Sequence, residues 1–376
     1  MIARATPPGL VRIVGTGLIG ASVGMALRAA GVQVALEDAS PTAAALARDL
    51  GAGLTQARAP ELDPGIVVVA VPPDVAARVV AAELQRWPRA VVTDVASVKG
   101  RILDQVRDVL ANDPAGVGHL TRYVGSHPMA GRERSGAVAA QPDLFEGRPW
   151  VITPHESSAP AAVSAVTALA TLVGAAVVRM SAEEHDAAVA AVSHAPQVAA
   201  SLVAARLRDL PTLAVGLSGQ GVRDVTRIAE SDPALWTQIL AGNAPAVAEV
   251  LRAMRADLDD VIAALADLSA DPEVAPGARA VLARAVADGQ TGRARIPGKH
   301  GMTLAAYGVV TVVVPDTPGQ VARLLTEVGD LGVNLEDLHF EHAVGRPIGS
   351  VELMVVPAAV DPLRIALADL GWTVHA

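Results

Sequence analysis

Cysteine is absent from the 376 residues of this chain, which excludes disulfides, thiolate metal sites and a cysteine nucleophile. Aromatic side chains are scarce, at 2% of residues, and lysine occurs only at Lys99 and Lys299. The net charge of −9 leaves no broad positive surface for a phosphate backbone, so nucleic acid is not expected as a partner. The length suffices for two or three compact domains.

A membrane segment is not expected either. The first eight residues contain no apolar core typical of a secretory signal. The uncharged stretch 157–178 is long enough to span a membrane, but it contains Pro160 and Gly174 and carries its hydroxyl side chains on one helical stripe. We interpret this stretch as a surface helix followed by a short strand. The sequence therefore predicts a cytoplasmic protein.

Short β-branched runs alternate with Ala- and Leu-rich helical patterns over residues 1–179. Several runs are almost continuously apolar, as strands buried on both faces are. Ser40 followed by Pro41 predicts a helix start, and Gly51 predicts the end of that helix. This alternation predicts an α/β domain with a doubly wound parallel sheet. The predicted strands are Leu10–Val14, Val32–Leu36, Ile66–Val71, Ala90–Thr93, Tyr123–Gly125, Trp150–Thr153 and Ala176–Val178.

A different pattern covers residues 180–288, which are helical without a convincing strand. Ser181 and Glu184 form a capping-box pattern that predicts a helix start. No charged residue occurs between Asp186 and Arg206. A helix that is apolar on nearly all sides has to be buried, and a second subunit is one surface that could bury it. We therefore expect an all-helical dimerisation domain here.

The C-terminal part of the chain changes pattern twice. Residues 289–306 are polar and Gly-rich with basic and histidine side chains, which is typical of a linker. Residues 307–376 then follow the order β-α-β-β-α-β, which predicts a small ferredoxin-like module. The predicted elements are strands at 309–314, 333–344, 350–356 and 372–375 and helices at 320–331 and 361–370.

The turn after the first predicted strand has the pattern of a dinucleotide site. Its glycines permit a tight turn and close approach of a pyrophosphate, and the following helix N-terminus favours the phosphate charge. At the end of the second strand, Asp38 would accept hydrogen bonds from ribose hydroxyls and repel a 2′-phosphate, with Glu37 as the alternative. The pattern predicts a Rossmann-type domain that binds NAD rather than NADP. The residues of the turn are Gly15, Thr16, Gly17, Leu18, Ile19 and Gly20.

Three further segments carry an unusual density of polar residues: 94–100, 125–133 and, in the helical region, 223–233. The first two are expected at the carboxyl ends of strands, where open α/β sheets bind ligands. Lys99 lies in the first segment, and solvent exposure is the default expectation for its side chain.

On these motifs the chain resembles the prephenate/arogenate dehydrogenase family of tyrosine biosynthesis. The C-terminal module looks like an ACT domain, with Asp316–Gly319 as its first turn and Val333–Leu335 entering its second strand. The resemblance extends over nearly the whole chain. The motifs that carry it are G-x-G-L-I-G-x-S at Gly15–Ser22, D-x-x-S-V-K at Asp94–Lys99, S-H-P-M-A-G at Ser126–Gly131 and D-x-T-R-I-A-x-S-D-P-x-x-W at Asp224–Trp236.

The resemblance implies NAD-dependent oxidative decarboxylation of a cyclohexadienol. Hydride leaves the ring carbon that carries the hydroxyl, the hydroxyl becomes a carbonyl, and loss of carbon dioxide makes the ring aromatic. His127 matches the family's general base, for which an imidazole suits cytoplasmic pH. Ser97 matches the serine that bridges the base and the cofactor or substrate, where it would hold the imidazole tautomer by a hydrogen bond.

The resemblance also implies residues that bind the substrate. Arg227 matches the arginine that holds a substrate carboxylate, a role that suits the planar guanidinium. His194 lies in the uncharged helical stretch, where it either contacts substrate or is a core histidine with a partner. Glu133 and Asp224 match acidic residues that gate or order the pocket. Trp236 either walls the pocket or packs in the core.

The chain departs from the family pattern near the expected substrate side chain. Many relatives that use prephenate carry a second histidine where this chain has Gln197, and Gln220 interrupts the Gly-rich turn before the arginine. The choice between prephenate and arogenate therefore stays open. A regulator without catalysis is a further alternative, which the retained Ser97, His127 and Arg227 argue against. A β-hydroxyacid dehydrogenase would not account for the S-H-P-M-A-G motif.

Two further expectations concern partners and metals. We expect a homodimer whose ACT-like module could bind tyrosine or another amino-acid effector. His339 and His342 lie three residues apart on a predicted strand and so point to opposite faces. No metal site is therefore expected.

Overall fold

The computed structural model describes residues 9–55, 63–131, 136–270, 276–296, 307–342 and 348–375. These residues belong to two compact units, Met1–Met254 and Arg255–Ala376.

A five-stranded parallel sheet forms the centre of the first unit, with strand order β3-β2-β1-β4-β5. Helices cover both of its faces, and a separate apolar core lies on each. The predicted doubly wound parallel sheet is therefore confirmed for this part of the chain. Its elements are β1 Leu10–Val14, α1 Leu18–Ala29, β2 Gln33–Glu37, α2 Pro41–Asp49, β3 Leu54–Thr55, β4 Ile66–Val69, α3 Pro73–Arg86, β5 Val91–Asp94, α4 Gly100–Leu110 and α5 Gly116–Leu120.

Local sequence signals explain where these elements begin and end. Every residue of β1 and β4 is buried, which accounts for the apolar character of both strands apart from Arg12, which is paired with Glu83 and Glu37. The Ser40 side chain accepts a hydrogen bond from the Ala43 amide, so it caps α2 as predicted, with Pro41 at the first helical position. Gly51 follows the helix with φ of 93°, a conformation that glycine adopts without strain.

A second, three-stranded sheet corrects the prediction that all strands run parallel. In it β6 pairs antiparallel with β7, and β7 pairs parallel with β8. The expected strand at Tyr123–Gly125 makes only a single bridge, from Tyr123 to Val92, and the regular strand starts at its last residue. His127 consequently lies inside a strand and not in a loop after one. The elements are β6 Gly125–Pro128, β7 Pro149–Thr153, α6 Pro160–Leu172 and β8 Ala176–Arg179.

The region after β8 is helical, as predicted. Ser181 and Glu184 form the expected capping box, with both reciprocal hydrogen bonds present. A π-helical turn, Ala190–His194, joins the first two helices. Pro196 follows this turn and has no N–H to continue a regular α-helical ladder. The helices are α7 Ala182–Val189, α8 Ala195–Leu207, α9 Thr212–Val215, α10 Gln220–Thr226, α11 Pro233–Gly242 and α12 Ala244–Ala270.

The apolar helical run 182–207 is less buried than the sequence suggested. Val192 is 69% exposed and Leu202 is 60% exposed. By length and hydropathy this run could cross a membrane, whereas the stretch 157–178 forms α6, which packs into the core, and β8. Length and composition alone are weak evidence for a membrane span. An apolar helix with one exposed face is also what a subunit interface requires.

The second unit contains a β-α-β-β-α-β array, in the predicted order. Its four strands form an antiparallel sheet with order β10-β11-β9-β12. The expected linker at 289–306 is partly wrong, because the preceding helix continues to Ala294, while residues 297–306 lie outside the described part. The elements are α13 Ala278–Ala294, β9 Gly308–Pro315, α14 Gln320–Asp330, β10 Asp337–His342, β11 Ile348–Val355, α15 Val360–Asp369 and β12 Thr373–His375.

Candidate active site

A cavity of about 1400 Å³ opens at the carboxyl ends of β1, β2, β4 and β5. This is the place where the strand order reverses and where open α/β sheets bind ligands. The volume exceeds the range of about 300–1,000 Å³ that is usual for one small ligand, so a cofactor and a substrate can share it. Side chains of α3, of β6, of the π-helical turn and of α11 also line it.

The glycine-rich turn at one end of the cavity fits a dinucleotide. Gly15 has φ of 96°, and a Cβ on it would lie 2.3 Å from the Ala70 carbonyl oxygen. A Cβ on Gly20 would lie 2.0 Å from the oxygen of Gly15, so both glycines are needed for the turn itself. Around Gly17 there is open space, and α1 begins directly after it. This cradle of free space at a helix N-terminus is suited to a pyrophosphate.

The two acidic residues at the end of β2 face different partners. The Asp38 carboxylate accepts hydrogen bonds from the amide and hydroxyl of Thr16, at 2.7 and 2.9 Å. Glu37 instead forms ion pairs with Arg12 and Arg86, and Arg12 is buried against Glu83. From the sequence, either Asp38 or Glu37 could bind a ribose. In the structure Asp38 is hydrogen-bonded to the glycine-rich turn, whereas Glu37 is paired with arginines.

His127 also lines the cavity and belongs to a chain of hydrogen-bonded side chains. Its Nδ1 lies 2.9 Å from Nε2 of His185, and Nδ1 of His185 lies 2.8 Å from Oδ1 of Asp186. His185 is fully buried. Neither His185 nor Asp186 is among the predicted site residues, although a His-Asp pair at the start of the uncharged helical stretch is a signal that could have identified them.

The surroundings of His127 disfavour its charged form. Burial is the main reason that its pKa lies well below the usual value, and the nearby His185, Lys99 and His194 lower it further. The imidazole is therefore neutral near pH 7, which is the state that a general base requires.

Lys99 corrects the expectation of an exposed side chain, since it is 1% exposed. Its Nζ pairs with Asp94 and donates to the Ser126 carbonyl oxygen at 2.7 Å. The Tyr123 hydroxyl donates to the other oxygen of Asp94 at 2.7 Å. Burial lowers the pKa of Lys99 although Asp94 opposes this effect. The cluster joins the end of β5 to β6 directly beside His127.

His194 and Trp236 both line the cavity, as expected of residues near a substrate. His194 ends the π-helical turn and is buried, and its Nδ1 lies 3.2 Å from the Asn243 side-chain nitrogen. The two rings meet edge to face, with centroids 6.0 Å apart. Burial is the main cause that lowers the pKa of His194 to about 4. His194 therefore has a hydrogen-bonding partner and also lines the cavity.

The remaining predicted site residues are placed less directly. Ser97 lines the cavity, but the partner of His127 at Nδ1 is His185 and not Ser97. Gln197 is buried one layer behind the wall and accepts from Ser231, which does line the cavity, at 3.3 Å. Asp224 and Arg227 are exposed and outside the cavity wall, and Glu133 lies outside the described residues.

Comparisons with known proteins place this architecture in a family. The family model for the nucleotide-binding domain of prephenate dehydrogenase matches residues 23–179, and the model for its dimerization domain matches residues 181–275. The probable prephenate dehydrogenase NovF of Streptomyces niveus is 35% identical over 96% of this chain and 98% of its own length. The chain belongs to the prephenate dehydrogenase family.

Solved structures of prephenate and arogenate dehydrogenases share the fold. The Aquifex aeolicus prephenate dehydrogenase, in complex with hydroxyphenyl propionate and NAD+, is 27% identical with a TM-score of 0.65, over 77% of this chain and 98% of that one. The Synechocystis arogenate dehydrogenase is 25% identical with a TM-score of 0.58, over 75% of this chain and 99% of that one. In the described part of the chain, no group of three or more His, Asp or Glu side chains is arranged so that it could hold a metal ion.

Proposed function

We propose that the protein is an NAD-dependent prephenate dehydrogenase, which converts prephenate to 4-hydroxyphenylpyruvate by oxidative decarboxylation in tyrosine biosynthesis. The observation that carries this proposal is the position of a neutral histidine, His127, in one cavity with a glycine-rich dinucleotide turn. Family membership supports the same reaction.

NAD, when bound, supplies the carbon that accepts the hydride. The residues proposed to hold it are the turn Gly15–Gly20 at its pyrophosphate, Asp38 at its adenosine ribose and Ser97 near its reactive end. Asp38 is held in place by Thr16 and by the Ser40 amide at 2.8 Å, so no reorientation is needed before a ribose hydroxyl binds. A carboxylate here repels a 2′-phosphate, which accounts for the proposed preference for NAD.

His127 is the proposed general base. Its Nδ1 is engaged by His185, which leaves Nε2 as the nitrogen available to a substrate in the cavity. Nε2 accepts the proton of the ring hydroxyl while hydride leaves the ring carbon that carries this hydroxyl. The hydroxyl thereby becomes a carbonyl. The carboxylate on the ring then leaves as carbon dioxide, since the ring gains aromaticity.

The proposed substrate residues are His194 and Trp236 in the wall, with Gln197 behind Ser231. Arg227 remains our proposal for the carboxylate partner, because it opens the 3₁₀-helix Arg227–Glu230 that leads directly to Ser231. Asp224, which accepts from Gln220 at 2.8 Å, and Glu133 are proposed to gate or order the pocket.

Arogenate is the alternative substrate. Gln197 stands where many prephenate-specific relatives carry histidine, and its amide contacts Ser201 and Ser231, at 3.4 and 3.3 Å. An amide in this position can accept from an ammonium group as well as donate to a carboxylate. The test compares kcat/KM for prephenate and arogenate with NAD on the purified protein. A higher value for arogenate would overturn the substrate assignment but not the reaction class.

We also propose that the protein is a homodimer through its helical domain, which the match to a dimerization domain and the exposed Val192 and Leu202 support. A charged residue in place of Leu202 should shift the protein towards monomers in analytical ultracentrifugation, and an unchanged molecular mass would contradict this interface.

The C-terminal array is proposed to be an ACT domain that binds tyrosine or another amino acid. Equilibrium dialysis with tyrosine tests this effector. A cytoplasmic location stays a prediction.

A further inference from the structure

The inference concerns His185, and it rests on the proposed function. His185 lies between the proposed base and a carboxylate that is fixed from another element. Asp186 accepts hydrogen bonds from the backbone amides of Lys99 and Gly100, at 2.9 and 2.8 Å, at the N-terminus of α4. Burial opposes ionisation of Asp186, but the hydrogen bonds from His185, Gly100 and Lys99 prevail and lower its pKa.

The fixed carboxylate determines where the protons lie on both rings. An ionised carboxylate can only accept, so the nitrogen of His185 that faces Asp186, Nδ1, carries a proton. For a neutral His185 ring, Nε2 then carries the lone pair. The facing Nδ1 of His127 must donate to that lone pair, and the lone pair of His127 is left on Nε2.

His127 and His185 differ in the charged groups that surround them. His127 is close to Lys99 and to His194, both of which oppose its protonation, and it has no carboxylate in direct contact among the described residues. His185 touches Asp186 directly. Asp186 also lines a second cavity, of about 1230 Å³, and its side chain is 13% exposed, so water can help to stabilise the charged pair.

We propose that His127 and His185 form a two-histidine proton relay in which the positive charge settles on His185. As Nε2 of His127 takes the proton from the ring hydroxyl, Nδ1 of His127 gives its own proton to Nε2 of His185. The new N–H bonds are at Nε2 of His127 and Nε2 of His185, and the bonds broken are the substrate O–H and the Nδ1–H of His127. His127 ends neutral, and His185 becomes an imidazolium paired with Asp186.

The relay predicts that two protons move during hydride transfer. The rate of NAD reduction in a single turnover, measured by stopped flow with prephenate in mixtures of H2O and D2O, should fall along a curve as the deuterium fraction rises. A linear dependence, or no dependence, would show that one proton or none moves and would overturn the relay. Because this measurement uses the wild-type protein, it does not depend on the folding of any variant.

The variant His185→Gln separates a relay from a positioning role. Glutamine still offers an oxygen to Nδ1 of His127, but it cannot take up a proton there. We expect the single-turnover rate to fall about 10- to 100-fold and the deuterium dependence to become linear. A slower variant that keeps the curved dependence would show that His185 only orients His127, and this also contradicts the proposal.

His119→Gln is the matched control. His119 is a half-buried histidine of the same unit that contacts Arg122 at 2.7 Å and Asp113 at 3.4 Å, outside the cavity. The His119→Gln variant should keep both the wild-type single-turnover rate and the curved dependence on the deuterium fraction. If wild-type protein reduces no NAD with prephenate or arogenate, the proposed function fails, whereas turnover with a linear dependence rejects the relay alone.

Discussion

His127 is the single residue on which turnover should depend most. We expect His127→Asn to lower kcat by about two to four orders of magnitude, the range for loss of a general base, with little change in NAD affinity. Steady-state kinetics and a fluorescence titration with NAD measure the two effects separately. A variant that keeps most of its turnover would reject His127 as the base.

Lys99 should matter for stability because it neutralises the buried Asp94. Removing one partner of a buried ion pair leaves an uncompensated charge, so Lys99→Met should lower the free energy of unfolding by about 3–5 kcal/mol. Urea unfolding followed by tryptophan fluorescence measures this loss. The double variant with Asp94→Asn should recover part of it. A loss below about 1 kcal/mol for the single variant would show that the pair is not needed.

Residue identities at the site were partly readable from the sequence. Residues 15–19 of the glycine-rich turn, His127, His194 and Trp236 lie in short motifs, and all of them line the cavity. His185 was missed because its contact with His127 spans 58 positions: the adjacent Asp186 marks it as a polar pair in the sequence but does not identify its distant partner. Lys99 was expected to be exposed because its burial depends on distant partners.

The turn between β1 and α1 allows a matched pair of substitutions. A Cβ at Gly17 would meet nothing within 4 Å, whereas one at Gly20 would collide with Gly15. Gly17→Ala should therefore remain about as stable as wild type, apart from a cap effect of about 1 kcal/mol or less, and lose NAD affinity. Gly20→Ala should lower the thermal midpoint as well. Calorimetry and NAD titration check both, and unchanged NAD affinity in Gly17→Ala would remove this turn from the cofactor site.

At the level of elements, the hydrophobic pattern predicted where the strands lie better than it predicted the direction in which they pair. β1 and β4 were recognised because strands buried on both faces are almost continuously apolar, and only Arg12 in β1 departs from this pattern. The antiparallel pairing of β6 with β7 was not foreseen, because apolar residues bury equally well in either direction. The glycines at positions 289 and 292 predict a linker, yet α13 extends through them to Ala294.

For the whole molecule, buried neutral histidines make stability depend on pH. The pKa of His194 is lowered to about 4 and that of His127 lies well below its usual value, mainly because of burial. Below about pH 6.5 the unfolded chain binds protons that the folded protein does not, so stability should fall as pH decreases from about 6.5 towards 4. Thermal midpoints measured across this range test the sign, and a rising midpoint would contradict it.

The sequence of the whole chain also bears on how the substrate is held. The small number of aromatic residues and the net charge of −9 do not favour an aromatic box or a broad positive field as the means of binding an anionic ring. The cavity wall agrees, since Trp236 is the one tryptophan in it and most of the other residues are aliphatic or small. Binding therefore depends on a few placed polar groups.

The most direct test of the proposed function is the stoichiometry of the reaction on purified full-length protein. With prephenate and NAD, each molecule of reduced nicotinamide should be accompanied by one molecule of carbon dioxide and one of 4-hydroxyphenylpyruvate. Absorbance at the nicotinamide band, trapped carbon dioxide and chromatography measure the three products together. Failure to reduce NAD in the presence of prephenate, under conditions in which the protein is folded and binds NAD, would contradict the assignment.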